Sequence, residues 1–154
     1  MKNAFTIIEL LISISIIALL FLGSYNLYSY NFKAFDKAEE LNKAIDLAAD
    51  MKEEILSKPL KNSVKINTNS IINRIHFNSV FDYDNYSAAP PTDILGNSLE
   101  NYYDYSVKIK VKNVAPDKYD NIINTTADSG YVSVAISIFK NKEQLIELPF
   151  IMTE

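Results

Sequence analysis

The residue of this chain with the most unusual setting for chemistry is Glu9, an acid at the start of a long apolar stretch. No residue from Leu10 through Phe32 is charged. An ionised carboxylate is costly inside hydrocarbon, so an acid within such a segment is a functional candidate that needs a partner. The sequence therefore predicts that Glu9 acts by pairing with a positive charge.

Catalytic chemistry finds little support elsewhere in the chain. His76 is the only histidine, and no nucleophile, metal-ligand cluster or glycine-rich phosphate loop accompanies it in sequence. The absence of cysteine excludes disulfides and thiolate metal sites. We expect a structural role for His76, no cofactor and no enzyme activity.

Glu9 lies at the start of a predicted membrane helix. The run from Ile7 to Phe21, with its flanks, approaches the roughly 20 residues that cross a bilayer core. Lys2 is the only charge ahead of this run. The positive-inside preference therefore places the N-terminus in the cytoplasm and the C-terminal domain outside, with the lipid bilayer as an early partner.

The helical pattern continues beyond the apolar run, from Lys33 to Lys58. Apolar residues recur near the spacing of one helical face: Ala38, Leu41, Ile45, Ala48, Met51 and Ile55. Glu54 precedes Lys58 by four residues, the favourable order for a pair on a helix surface. Pro59 disfavours helical geometry at the residue before it, so the helix should end close to Lys58.

After Pro59 the pattern alternates as in β-strands. Alternation from Tyr105 to Val111 and from Val132 to Ile138 predicts two strands, each with one buried face. A third is expected from Gln144 to Leu148, following a turn at Asn141 and Lys142. Pro149 indicates either an edge position or the end of pairing. The fold class is α+β, with the second half of the helix covering a small antiparallel sheet.

The segment from Phe81 to Tyr105 is acidic and rich in tyrosine, without lysine or arginine. Asp82 and Asp84 are weak calcium candidates, since their spacing matches no defined calcium loop, and a solvated acidic surface is the favoured interpretation. A candidate partner surface is formed by four tyrosines: Tyr83, Tyr86, Tyr102 and Tyr103. Packing is favoured over this role because tyrosine is also a normal strand residue.

The N-terminus resembles the type IV pilin and pseudopilin family. A short leader, Met1 to Ala4, precedes Phe5, and Glu9 falls at the fifth position counted from that phenylalanine. The resemblance implies that a prepilin peptidase cleaves between Ala4 and Phe5 and methylates the new amine. It also implies that Glu9 neutralises the Phe5 amine of a neighbouring subunit during filament assembly. Ala4 stands where the family usually has glycine.

The resemblance further implies a pilin-like lollipop fold in four parts. These are a leader (1–4), a transmembrane and filament-core helix (5–32), an amphipathic helix half (33–58) and a β-rich head (59–154). The expected partners are prepilin peptidase, other pilin or pseudopilin subunits and an inner-membrane assembly platform. The chain should reside in the bacterial inner membrane with a periplasmic head, and in a pilus or pseudopilus after assembly.

The subtype rests on weaker features. The stretch from Phe77 to Ser87, followed by Pro90-Pro91, is similar to minor pilins of the mannose-sensitive haemagglutinin type. The lack of cysteine departs from the disulfide loop common in major pilins and favours a minor pilin or a pseudopilin.

Three alternatives remain open. The first is a pseudopilin of a type II secretion system, and the second is a monomeric membrane-anchored periplasmic module. The third is a pilus-tip adhesin or DNA-uptake subunit that uses the tyrosines or three alternating lysines, Lys108, Lys110 and Lys112. The net charge of -4 argues against a generally basic nucleic-acid surface. Nucleic acid is therefore an unlikely partner, although a local patch could still bind it.

Overall fold

The computed structural model describes residues 6–60, 73–116, 122–125 and 129–153. Its first element is helix α1, Ile7–Leu56, which is 50 residues long. The last turn closes through backbone bonds to Ser57 and Lys58, just before Pro59. The helix therefore ends where the proline predicts, because the residue before a proline avoids helical geometry.

The chain divides into two compact units, Met1–Glu40 and Leu41–Glu154. In the first unit, every large apolar side chain from Ile7 to Phe35 is more than half exposed. By length and composition, helix α1 can cross a membrane. Exposed apolar side chains of this kind are suited to lipid or to neighbouring helices rather than to water.

The second unit contains a five-stranded antiparallel sheet. Its strands are β1 (Ser87–Ala88), β2 (Tyr105–Pro116), β3 (Ile122–Asn124), β4 (Tyr131–Lys140) and β5 (Glu143–Thr153). The order along the sheet is β1-β2-β4-β5, and β3 pairs with the far end of β2. One long helix followed by a small antiparallel sheet confirms the α+β fold class.

The hairpin between β4 and β5 matches the prediction at its turn and extends beyond it afterwards. Asn141 and Lys142 form the turn with φ angles of 49° and 74°, the left-handed pair that a two-residue hairpin requires. Pro149 lies opposite Ala135 in the register, and pairing continues to Thr153. The edge position was therefore right, and the end of pairing at Pro149 was wrong, because an edge strand tolerates a missing N–H.

The core of the second unit lies between one face of α1 and one face of the sheet. The helix contributes five buried residues: Ala44, Leu47, Ala48, Met51 and Ile55. Alternate residues of β2 and β4 complete the cluster. The predicted helical face was partly wrong, since Leu41 and Ile45 are 42% and 46% exposed. The buried face is rotated toward Ala44 and Ala48, whose small side chains allow close approach of the helix to the sheet.

Candidate functional site

Glu9 lies in the first turn of α1 and is bound to the residue that precedes the helix. Its Oε2 accepts hydrogen bonds from the backbone N–H of Thr6 (2.9 Å) and from the Thr6 hydroxyl (2.8 Å). The N–H of Glu9 in turn donates to the Thr6 hydroxyl oxygen at 3.4 Å. This reciprocal arrangement is a capping box, which satisfies backbone donors that a helix start leaves unpaired.

The capping box leaves acceptor capacity on Glu9. An ionised carboxylate offers about four lone-pair sites, and the bonds from Thr6 engage Oε2. Glu9 is exposed in the isolated chain, so a cation can approach Oε1 without breaking the cap. The spacing Thr-x-x-Glu is a sequence signal for this cap, whereas the prediction for Glu9 was based on its charge alone.

Hydroxyl groups within the apolar run bond back to the helix. Ser13 donates to the carbonyl of Glu9 and Ser15 to the carbonyl of Leu11, each at 2.8 Å. These bonds remove the cost of placing a hydroxyl in hydrocarbon. Ala4 and Phe5 lie outside the described residues, so the cleavage position and the pairing of Glu9 with the Phe5 amine stay predictions.

A second acid, Glu54, is bound by residues far from it in sequence. Arg74 donates from Nε to Oε1 at 3.0 Å and from Nη2 to Oε2 at 3.1 Å. The hydroxyl of Tyr83 also donates to Oε1, at 2.7 Å. The Arg74 side chain is 4% exposed and that of Glu54 is 16% exposed. Glu54 therefore forms a bidentate, largely buried ion pair, the geometry for which arginine is suited.

The remaining nitrogen of the Arg74 guanidinium, Nη1, bonds to other residues of the segment before β2. This segment, residues 73–104, is called the middle segment. Nη1 donates to the Tyr86 hydroxyl and to the Thr92 carbonyl, both at 2.9 Å. Burial lowers the pKa of the Arg74 guanidinium, but its hydrogen bonds and charge interactions with Glu54 and Tyr86 together outweigh this and raise the pKa above its ordinary value. The network therefore ties the middle segment to helix α1 through a permanently charged group.

This network was missed from the sequence, where Glu54 was paired with Lys58. Twenty residues separate Glu54 from Arg74, and helix periodicity cannot detect a partner at that separation. The available signal was that Arg74 is the only arginine of the chain.

The structure separates the four tyrosines proposed as a partner surface. Tyr83 is fully buried, and burial followed by its bond to Glu54 raises the pKa of its hydroxyl far above the ordinary value. Tyr86 and Tyr102 are half-buried, and Tyr103 is 67% exposed. Tyr83 is thus excluded from any surface because its hydroxyl completes an internal network.

The two weak calcium candidates bind backbone groups. Asp82 accepts from the N–H groups of Asn78 (2.7 Å) and Ser79 (2.9 Å), at the start of a short 3-10 helix. Asp84 accepts from the N–H of Val111 at 3.0 Å. Within the described ranges, no group of three histidine, cysteine or acidic residues could hold a metal ion. Both aspartates serve to fix loop geometry.

The remaining charged candidates lie at the surface. Lys108, Lys110 and Lys112 are exposed on the face of β2 that points away from the core. The ammonium of Lys108 lies 5.2 Å from the centroid of the Phe139 ring, within range of a cation–π contact. His76 is exposed in a short 3-10 helix.

Comparison with known proteins gives one match. Residues 1–25 match the family model described as the prokaryotic N-terminal methylation motif. No curated protein and no solved structure matches the chain. The motif supports a type IV pilin or pseudopilin with a methylated N-terminus and a transmembrane helix. It includes Glu9 and its Thr6 cap, and it does not distinguish subtypes.

Proposed function

We propose that this chain is a minor pilin or pseudopilin that joins a type IV pilus-like filament through its N-terminal helix. Two observations on the same segment chiefly support the proposal. The methylation motif at residues 1–25 falls on a helix whose large apolar side chains are exposed throughout the first unit. Such a helix needs an apolar environment, which the bilayer provides before assembly and neighbouring helices provide afterwards.

Processing generates the charge that Glu9 requires. Prepilin peptidase cuts between Ala4 and Phe5 and methylates the new amine, which is cationic at neutral pH. The amine of one subunit then pairs with the Glu9 carboxylate of its neighbour, and pairing removes much of the cost of burying both charges. The Thr6 cap supports this role, since it fixes the carboxylate at the helix start.

The other parts of the chain follow from this arrangement. Residues 5–32 form the transmembrane and filament-core helix, residues 33–58 the amphipathic half, and residues 59–154 the periplasmic head. An inner-membrane assembly platform is a further expected partner of the chain. The absence of cysteine supports a minor pilin or pseudopilin rather than a major pilin with a disulfide loop.

The test is the N-terminal sequence and intact mass of the protein from cells with and without active prepilin peptidase. We expect a chain that begins at a methylated Phe5, and a chain that retains Met1 to Ala4 where the peptidase is inactive. Replacing Ala4 by glycine should preserve this cut, and replacing it by a bulky residue such as leucine should abolish it. A mature chain that starts beyond Leu22, or an unprocessed chain in both strains, contradicts the proposal.

A further inference from the structure

The second unit carries opposite charges on two opposite faces. One is the lysine row, formed by Lys108, Lys110 and Lys112 on β2. Successive residues of a strand point to opposite sides, and the intervening Ile109 and Val111 belong to the core that contacts helix α1. The lysine row therefore lies on the face of the sheet that points away from the helix.

The other is the acidic row, formed by Asp46, Asp50 and Glu53 on α1. All three are exposed, and their spacing of four and three residues places them on one side of the helix. Asp46 and Asp50 each lie two residues from the buried Ala48, which is roughly 200° around a helix of 3.6 residues per turn. The acidic row therefore lies on the side of the helix that points away from the sheet.

The two rows carry three charges each, of opposite sign, and have comparable spans. Four residues of strand give the lysine row a span of about 14 Å, and seven residues of helix give the acidic row a span of about 10 Å. Across β4, the register neighbours of the lysines are Ser137, Ala135 and Ser133. These small side chains leave Lys110 and Lys112 standing above the neighbouring strand, where a helix can lie alongside them. Lys108, at one end of the row, lies against the ring of Phe139 on the same face.

We infer that the lysine row is a docking surface for the acidic row of a second copy of this chain. The inference rests on the proposed function, which brings neighbouring copies together in one membrane or filament. Because the two rows lie on opposite faces, the contact is head-to-tail and leaves a free row at each end. A contact of this kind extends into an open chain rather than closing as a symmetric dimer.

The contact is weak by itself and depends on anchoring. Exposed ion pairs contribute little individually and are screened by salt. Two heads anchored in one membrane meet at a high effective concentration, which converts several weak pairs into a populated contact. The lysine row therefore orders neighbouring heads without holding soluble ones together.

The lack of native cysteine allows a crosslinking test on the full chain in membranes. Ala49 lies beside the acidic row, and Ala135 is the register partner of Lys110. A chain carrying both Ala49→Cys and Ala135→Cys should give a ladder of disulfide-linked dimers, trimers and larger species. A mixture of the two single variants should give dimers alone, and neither single variant should crosslink with itself. A dimer formed by either single variant alone would indicate symmetric packing and overturn the inference.

Charge reversal tests the chemistry of the contact. Replacing all three lysines of the lysine row by glutamate should reduce crosslinking about tenfold, in line with the loss of several exposed pairs. Adding lysine at all three positions of the acidic row should restore it. Lys110→Glu alone should weaken the ladder. Its matched control is Lys142→Glu, in the hairpin turn outside the lysine row, which should leave the ladder unchanged. Equal crosslinking in the reversed and native chains would refute the contact.

Two further measurements distinguish this contact from polyanion binding and from failure of the proposed function. Salt-dependent binding of a duplex DNA that the lysine-to-glutamate chain loses, with an unchanged ladder, would assign the lysine row to a polyanion and overturn the inference. N-terminal sequencing of the same preparations distinguishes failure of the contact from failure of the proposed function. A charge-dependent ladder in an unprocessed chain refutes only the proposed function. A processed chain whose ladder does not depend on these charges refutes only the contact.

Discussion

Glu9 and Glu54 lie on the same helix, and their carboxylates are bound in different ways. Within the described residues, Glu9 accepts hydrogen bonds from the neutral donors of Thr6, whereas Glu54 accepts from the cation Arg74 and from Tyr83. Glu54 thus has its counter-charge inside its own compact unit. An acid of this kind contributes to the stability of one subunit, while an acid bound only by neutral groups is available to a cation from another subunit.

The largest effect that this comparison predicts is the loss of assembly in Glu9→Gln. Glutamine keeps an oxygen for the Thr6 cap but cannot neutralise an amine, and an uncompensated buried charge costs about 3–5 kcal/mol. Incorporation into filaments should fall more than about a hundredfold, as measured by filament fractionation. Unfolding of the second unit should be unchanged. Normal incorporation of Glu9→Gln would contradict the assembly role and favour a monomeric anchored module.

Arg74→Met should have the opposite phenotype, with a destabilised head and normal processing. It leaves Glu54 partly buried without its counter-charge, at a cost of about 3 kcal/mol. Urea unfolding of the full chain in detergent, followed by circular dichroism, measures this loss. The matched control is the double variant Arg74→Met with Glu54→Met, which should recover part of the stability. If the double variant is no more stable than Arg74→Met, the buried charge is not the cause.

Tyr83→Phe should have a smaller effect on the same network. It removes a hydrogen bond to an ionised carboxylate, which contributes about 1.5 kcal/mol, while the buried ring remains in the core. Tyr103→Phe is the control, because Tyr103 is 67% exposed and its change should be neutral. The same unfolding experiment on both variants decides whether the Tyr83 hydroxyl is structural, and equal midpoints would show that it is not.

Thr6→Ala tests whether Glu9 acts through its charge or through its cap at the start of the helix. It removes the capping hydroxyl and leaves the Glu9 carboxylate, so the helix start should lose about 1 kcal/mol. Amide hydrogen exchange of residues 7–10 in detergent should accelerate accordingly, while filament incorporation is retained. Loss of incorporation as complete as in Glu9→Gln would show that the cap, and not the charge, carries the assembly role.

The smallest predicted effect concerns Asp93, which, like Glu9, is bound by neutral donors. Its carboxylate accepts from Asn97 and Leu95 in an exposed turn, and the bonds from Asn97 lower its pKa below the ordinary value of 3.8. These bonds stabilise the fold above about pH 3.8, and this stabilisation is lost as the pH falls through the lowered pKa. Asp93→Asn should therefore flatten the wild-type decline in urea midpoint below about pH 4, and an unchanged slope would count against this assignment.

The sequence predicted the regular elements because their signals are local. The alternation in β2 and β4, the turn at Asn141 and Lys142, and the end of α1 before Pro59 each follow from residues within one element. The rotation of the buried helical face was not predicted, since it depends on how closely Ala44 and Ala48 allow the helix to approach a sheet that lies far along the chain.

The candidate sites also differ in how far they could be predicted from local sequence. The prediction that Glu9 needs a positive partner came from the apolar run alone, and Glu9 lies within the family match at residues 1–25. The two bonds of Glu54 could not be predicted from the sequence, because Arg74 lies 20 positions and Tyr83 lies 29 positions further along the chain. Residue types show that a buried charge needs a partner, but only the fold shows which one it has.

The position of the Thr6 cap has a consequence for maturation. Thr6 and Glu9 both lie after the proposed cut, and the peptide bond that supplies the Thr6 N–H joins it to Phe5. Removing residues 1–4 therefore costs the helix none of the groups that define its first turn. If the chain is cut at the proposed position, the precursor and the mature subunit have the same capping groups at the helix start, and the cut changes the charge at this end of the protein without breaking the cap.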